Sequence, residues 1–144
     1  MNRYKIRISA KGFFFNSKDE VLLVEGKRKD RGKVYYCAPG GGVEDGESMN
    51  SALERELVEE TGYSGKTEKF VFCQDYFGPE KVRSLEVFFA GTIDESIEKK
   101  IEGDHKSRFI SKEEFDNIEF YPERINPFEL KGKEGIEYIS YLNS

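Results

Sequence analysis

Residues 41–63 read GGVEDGESMNSALERELVEETGY, and the way this stretch folds decides the rest of the chain. From Ser48 to Thr61 it carries strong helix formers, and Gly62 stands where a left-handed C-cap belongs. On a helix turning about 100° per residue, with Glu56 at zero, Met49, Ala52 and Leu53 lie within roughly 60° of it. Glu59 and Glu60 fall at roughly −60° and 40° on the same arc. The apolar stripe therefore runs on into three carboxylates, with Leu57 and Val58 as anchors to one side. Carboxylates that point inward must be paired or bound to a metal. Arg55 is the one cation in that half of the helix. A hard divalent cation, Mg²⁺ or Mn²⁺, takes oxygen ligands and is the expected resolution. Taken alone, the Glu59–Glu60 pair reads first as the solvated end of an acidic helix.

The wider spacing is more specific. Gly41, Glu47, Arg55, Glu56, Leu57, Glu59, Glu60, Gly62 and Tyr63 fall in register with G-x5-E-x7-R-E-U-x-E-E-x-G-U, where U is a bulky apolar residue. The stretch resembles the Nudix box of the Nudix hydrolase family, with Tyr63 at a position where an aliphatic residue is more usual. The resemblance implies an α/β (α+β) fold, a mixed β-sheet layered between α-helices. It also implies metal-dependent hydrolysis of the pyrophosphate in a nucleoside diphosphate linked to another moiety, such as ADP-ribose or a nucleoside triphosphate. By the resemblance Glu56, Glu59, Glu60 and the carbonyl of Gly40 would bind metal, and one of the glutamates would double as base. Glu47 and Arg55 would form the pair that orients helix against loop, completing a catalytic set of Glu56, Glu59, Arg55 and Glu47. Gly41 and Gly42 would let the backbone approach the phosphates. The alternative is a non-catalytic nucleotide-sensing domain on the same fold, against which stand the complete box glutamates. A diphosphate isomerase of the same superfamily would call for a longer chain.

Upstream of the box, "RYKIRISAKGFFF" reads as a strand and "VLLVEG" (21–26) as a second, hairpinned to the first. "VYYCA" (34–38) is a third, stopped by "PGGG", whose composition argues against regular structure. Between them Lys27, Arg28, Lys29, Arg31 and Lys33 form a basic loop, and Arg28 is the candidate phosphate clamp. Tyr35, Tyr36, Tyr76 and Phe77 are aromatics that either fill the core or stack on a base, and Tyr36 is the candidate for substrate contact. Downstream, "KFVFCQDYF" and "SLEVFFAGTI" are strands, "RFI" is a short one, and Ser111 with Glu114 makes a capping box. The tail "KEGIEYISYLNS" reads as a last helix. Glu102 and Asp104 are the nearest candidates for a late-loop acid. Pro79, sixteen residues past Tyr63, stands near a spacing seen in ADP-ribose-type relatives.

Composition bounds the rest. The 144 residues suit one domain, residues 1–144. A net charge of −5 argues against duplex nucleic acid as a partner and leaves a small nucleotide. There is no apolar run long enough for a membrane span and no charged-then-apolar leader, so a cytoplasmic setting is expected. Cys37 and Cys73 are far apart and outside any CxxC, as free thiols in a reducing compartment would be. His105 sits in a polar stretch and reads as an exposed loop residue. A homodimer stays open.

Overall fold

Three consecutive phenylalanines explain the architecture. In a strand, neighbouring side chains point to opposite faces, so an unbroken apolar run survives only where both faces are covered. In the computed structural model, which describes residues 5–27, 34–77, 82–100 and 105–140, Phe13, Phe14 and Phe15 are all buried, within strand β1 (Lys5–Phe15). Phe14 joins Ala10, Leu22, Leu53 and Leu57 under the long helix α1 (Met49–Thr61). Phe13 and Phe15 face the other way, into a larger cluster with Leu23, Phe72, Phe88 and Phe120. That cluster is closed by side chains from the segment around the short helices α2 (Lys112–Phe115) and α3 (Pro127–Gly132). A mixed sheet between helices is therefore the observed fold, as expected.

The sheet runs β8-β3-β2-β1-β6-β5-β9, with β4 and β7 paired off this path to β1 and β2. The remaining strands are β2 (Val21–Lys27), β3 (Val34–Cys37), β4 (Gly40–Gly42), β5 (Gly65–Phe77), β6 (Val82–Ile93), β7 (Ser107–Ile110), β8 (Phe120–Tyr121) and β9 (Glu137–Ser140). β1 and β6 are parallel from Lys5↔Val82 to Phe15↔Thr92, and β5 lies antiparallel to β6. β1 and β2 meet at the hairpin end, Phe15↔Val21, and then part. β4 takes the vacated side of β1, pairing Ser9–Lys11 with Gly42–Gly40.

Two readings of the sequence are corrected here. The "PGGG" segment is not irregular, because Gly40–Gly42 forms strand β4 through backbone pairing that asks nothing of side chains. Gly40 is required there: its φ is +144°, and a Cβ would come within 2.1 Å of the Ala10 carbonyl oxygen. The tail is a strand, not a helix. Glu137–Ser140 adds in parallel to the edge of β5, held by Tyr138 Oη donating to Asp75 Oδ2 at 2.7 Å. The helix limits hold well. Ser48 caps α1 by accepting from Ser51 N–H at 3.1 Å, and Gly62, at φ 80°, donates to the Val58 carbonyl at 2.9 Å. Ser111 likewise accepts from Glu114 N–H at 3.1 Å, while the Glu114 carboxylate turns to Arg108. Cys37 and Cys73 are free thiols, as expected.

Candidate active site

Helix α1 sets the angular positions of its glutamates. Its buried residues are Ala52, Leu53, Leu57 and Thr61, so the packed stripe is centred near Leu53 and Leu57 rather than on Glu56. Burying two such leucines contributes about 1.5–3 kcal/mol each, which outweighs any preference of the carboxylates for a given heading. Glu56 and Glu60 flank the stripe and are half-buried against β4. Glu59 lies farther round and its side chain is 51% exposed, so the expectation of three inward carboxylates is corrected to two, with Glu59 at the rim.

The two inward carboxylates face glycine backbone. A Cβ on Gly41 would meet the Glu56 carboxylate at 2.8–3.1 Å, so only glycine lets that carboxylate lie against the strand. Gly40 N–H donates to Glu60 Oε2 at 3.3 Å. The carbonyl of the same residue accepts from Lys11 Nζ, also at 3.3 Å. Burial pushes the Glu60 carboxyl above its usual range, and the Gly40 N–H and the Lys11 charge pull part of the way back. Gly42 is exposed, with open space where its side chain would be.

Arg55 ties the rim together. Its Nε and Nη2 donate to the two oxygens of Glu47 at 2.8 and 3.0 Å, a two-point fork. Its Nη1 donates to Glu56 Oε1 and to Glu59 Oε1, both at 3.2 Å. This hydrogen-bonded guanidinium holds Glu47 below the usual carboxylate range. The expected Glu47–Arg55 pair is present, and it reaches two of the three box glutamates.

The donors brought together are oxygens: the Glu56 and Glu60 carboxylates, the Gly40 carbonyl and, at the rim, Glu59. That chemistry fits a hard divalent cation. Among the described residues, no three His, Cys, Asp or Glu side chains converge closely enough to hold an ion by themselves.

A cleft of about 630 Å³ opens beside Lys11, whose ammonium also reaches the Gly40 carbonyl. Lys11, Tyr35, Cys37, Gln74, Tyr76 and Glu86 line it, with Tyr121–Arg124 as one wall. Lys11 thus belongs both to the cleft and to the carboxylate end. The candidate aromatics divide. Tyr35 and Tyr76 line the cleft, and Phe77 is exposed at 44%. Tyr36, the expected substrate contact, is not among the lining residues. It packs against the core cluster beneath Arg108, at 5.6 Å from the guanidinium, because strand alternation gives the cleft to Tyr35 and Cys37. The cleft itself was missed from the sequence, since Lys11, Gln74 and Glu86 are polar residues on three strands whose register unites them. Arg28, Lys29, Arg31, Lys33, Pro79, Glu102 and Asp104 lie outside the described residues. His105 is exposed, as expected, and its N–H donates to the Glu60 carbonyl at 3.1 Å.

The NUDIX domain family model matches residues 5–134. The chain belongs to the Nudix family. It is 38% identical over 94 residues to the 8-oxo-dGDP phosphatase NUDT18 of Danio rerio, covering 65% of this chain and 27% of that protein. To phosphatase NudJ of Escherichia coli it is 33% identical over 75 residues, 52% of this chain and 48% of NudJ. The chain therefore spans less than half the length of these curated relatives. The fold matches an ADP-ribose pyrophosphatase structure from Streptococcus suis with a TM-score of 0.65, at 17% identity, over 92% of this chain and 98% of that one. Tyr63, the unusual residue of this Nudix box, packs edge-on against Phe109 with ring centroids 5.1 Å apart. An aromatic is accommodated there because β7 supplies a matching ring.

Proposed function

We propose that this Nudix domain hydrolyses the pyrophosphate bond of a nucleoside diphosphate linked to another moiety, with Mg²⁺ or Mn²⁺ as cofactor. The observation that carries the reading is the meeting of Glu56 and Glu60 with the backbone of Gly40–Gly41 at the mouth of the tyrosine-lined cleft. A relative named for 8-oxo-dGDP and a structural neighbour named for ADP-ribose support a nucleotide as the substrate class. Glu56, Glu59, Glu60 and the Gly40 carbonyl would hold the metal. When bound, it would supply charge neutralisation at the pyrophosphate and activation of water.

The chain's own residues do the rest. Arg55 fixes the headings of Glu56 and Glu59 and braces them on Glu47. Glu59, exposed and held at Arg55, would accept a proton from an attacking water at a carboxylate oxygen. Lys11 brings its ammonium to the junction of cleft and carboxylates, where a phosphate would pass. Gly41 and Gly42 leave room for phosphate oxygens against the backbone. Free Cys37 and Cys73 suit a reducing, cytoplasmic setting, and no described helix is long and apolar enough to cross a membrane.

The test is a panel of nucleoside triphosphates, nucleotide sugars and ADP-ribose with Mg²⁺ or Mn²⁺, assayed for released nucleoside monophosphate. Metal-dependent release from at least one compound is expected. Tight binding without turnover of any compound would replace the hydrolase with a nucleotide sensor.

A further inference from the structure

The β5–β6 register puts Gln74 directly opposite Glu86 on the cleft face of the sheet. Gln74 is 6% exposed, and its Nε2 donates to Glu86 Oε1 at 2.7 Å. This bond fixes the amide's orientation, because a carboxylate offers no proton to a carbonyl. Gln74 Oε1 is then left buried with no hydrogen-bond partner among the described residues. Buried side-chain oxygens are nearly always satisfied, and one that is not calls for an explanation. Here the residue lines the cleft of about 630 Å³ together with Tyr35 and Tyr76, whose aromatic rings offer flat faces.

We propose that Gln74 and Glu86 form the base-reading pair of this cleft and select guanine-type bases. The inference rests on the nucleotide-hydrolase reading above. The pair presents acceptors: the carboxylate of Glu86 and the carbonyl oxygen of Gln74. One of the two Gln74 amide N–H groups is spent on Glu86. A guanine edge carries two adjacent donors, N1–H and the N2 amino group, and a carboxylate accepts both as a fork, with Gln74 Oε1 available to a further amino proton. Adenine sets the lone pair of N1 beside its N6 donor, so one acceptor of the protein would face an acceptor of the base. Cytosine has the same fault at N3. Uracil places one N–H between two carbonyls. Only the guanine-type edge offers the Glu86 carboxylate two donors side by side.

The placement agrees with the carboxylate end of the site. Lys11 lies two strands from Gln74 and two residues along, a backbone separation of roughly 12 Å at the usual strand geometry. Cys37 of β3 also lines the cleft, close enough to both Glu60 and Glu86 for their charges to act on its thiol. A base at Gln74–Glu86 therefore leaves a sugar's length before the phosphates reach Lys11 and Gly40.

The experiment compares GTP, dGTP, ITP and ATP with Mg²⁺, in the wild type, in Glu86→Gln and in Gln74→Met. Inosine keeps N1–H and loses the amino group, so it isolates the second donor. In the wild type, kcat/KM for GTP should exceed that for ATP by at least about 10²-fold, as expected when a mismatch strands buried polar groups, with ITP in between. Glu86→Gln, a half-exposed and isosteric change, should collapse the GTP to ATP ratio toward one, and Gln74→Met should narrow the GTP to ITP ratio. Base-blind turnover, an adenine preference, or discrimination that follows the sugar (GTP against dGTP) would overturn the proposal and leave the hydrolase reading standing. If no compound is turned over, the hydrolase reading fails, and calorimetric binding of GDP, IDP and ADP decides the base preference by itself. Equal affinities would then overturn the proposal, and a guanine preference lost in Glu86→Gln would sustain it.

Discussion

Glu59 and Glu60 are neighbours in sequence and live in different surroundings. Glu60 is half-buried on the Gly40 N–H, and Glu59 is exposed on Arg55. Replacing either with glutamine keeps shape and removes charge. Each change should cut turnover by at least about 10²-fold, the scale of a lost acid, base or metal ligand, with folding retained. Steady-state rates at saturating Mg²⁺ check this, and near-normal turnover in either variant removes that residue from the machinery. Gly40 and Gly41 make a second contrast. A Cβ on Gly41 meets the far end of the Glu56 side chain, which can swing away. Gly41→Ala should therefore fold nearly as well as the wild type, while the displaced carboxylate lowers kcat by roughly 10- to 100-fold. Gly40→Ala meets backbone instead, at a φ that disfavours any side chain, and should be strongly destabilised. Thermal melting beside kinetics separates the two effects.

At the scale of elements, α1 was legible because its signals are local: a serine cap, apolar spacing and a terminal glycine act within a few residues. Its heading was read imperfectly, since the packed centre at Leu53 and Leu57 depends on what β1 and β5 present to it. β4 and β9 escaped the sequence for a related reason. Each is a short segment recruited by another strand's free edge, which propensity does not record. β9 owes its place to Asp75, which is buried and also pairs with Arg83 Nη2 at 3.1 Å. The hydroxyls of Ser140 and Tyr138 hold Asp75 below the usual carboxylate range. The sign follows from that depression. The group adds stability above its unfolded pKa, and the contribution is lost as pH falls through the lower folded value. Asp75→Asn should thus be less stable than the wild type near neutrality, and the gap should close as the solution is acidified. Denaturant midpoints against pH for both proteins test this, and a gap that does not change with pH would show that β9 is held by other contacts.

For the whole molecule, the folded state sets Glu56 and Glu60 against the Gly40–Gly41 backbone, and the proposed metal would tie stability to that arrangement. A divalent cation that binds the folded site and hardly the unfolded chain stabilises by mass action, about 2.7 kcal/mol at a hundredfold excess over its dissociation constant. For a domain of this size that is a rise of roughly 5–10 °C in melting temperature. Burial has also raised the folded pKa of Glu60, so the metal-free protein should lose stability as pH climbs from the unfolded glutamate value through the folded one. Metal must displace the proton that burial favours there, so its gain should widen over the same window. Melting curves in EDTA and in several millimolar Mg²⁺, recorded across pH for the wild type and Glu56→Gln, measure both effects without reference to turnover. The wild type should show a metal-induced shift that grows with pH, and Glu56→Gln should lose most of it, since it keeps the backbone and removes the charge of one proposed ligand beside Gly41. Superimposable curves with and without Mg²⁺ in the wild type would mean that Glu56, Glu59 and Glu60 hold no metal in the folded protein.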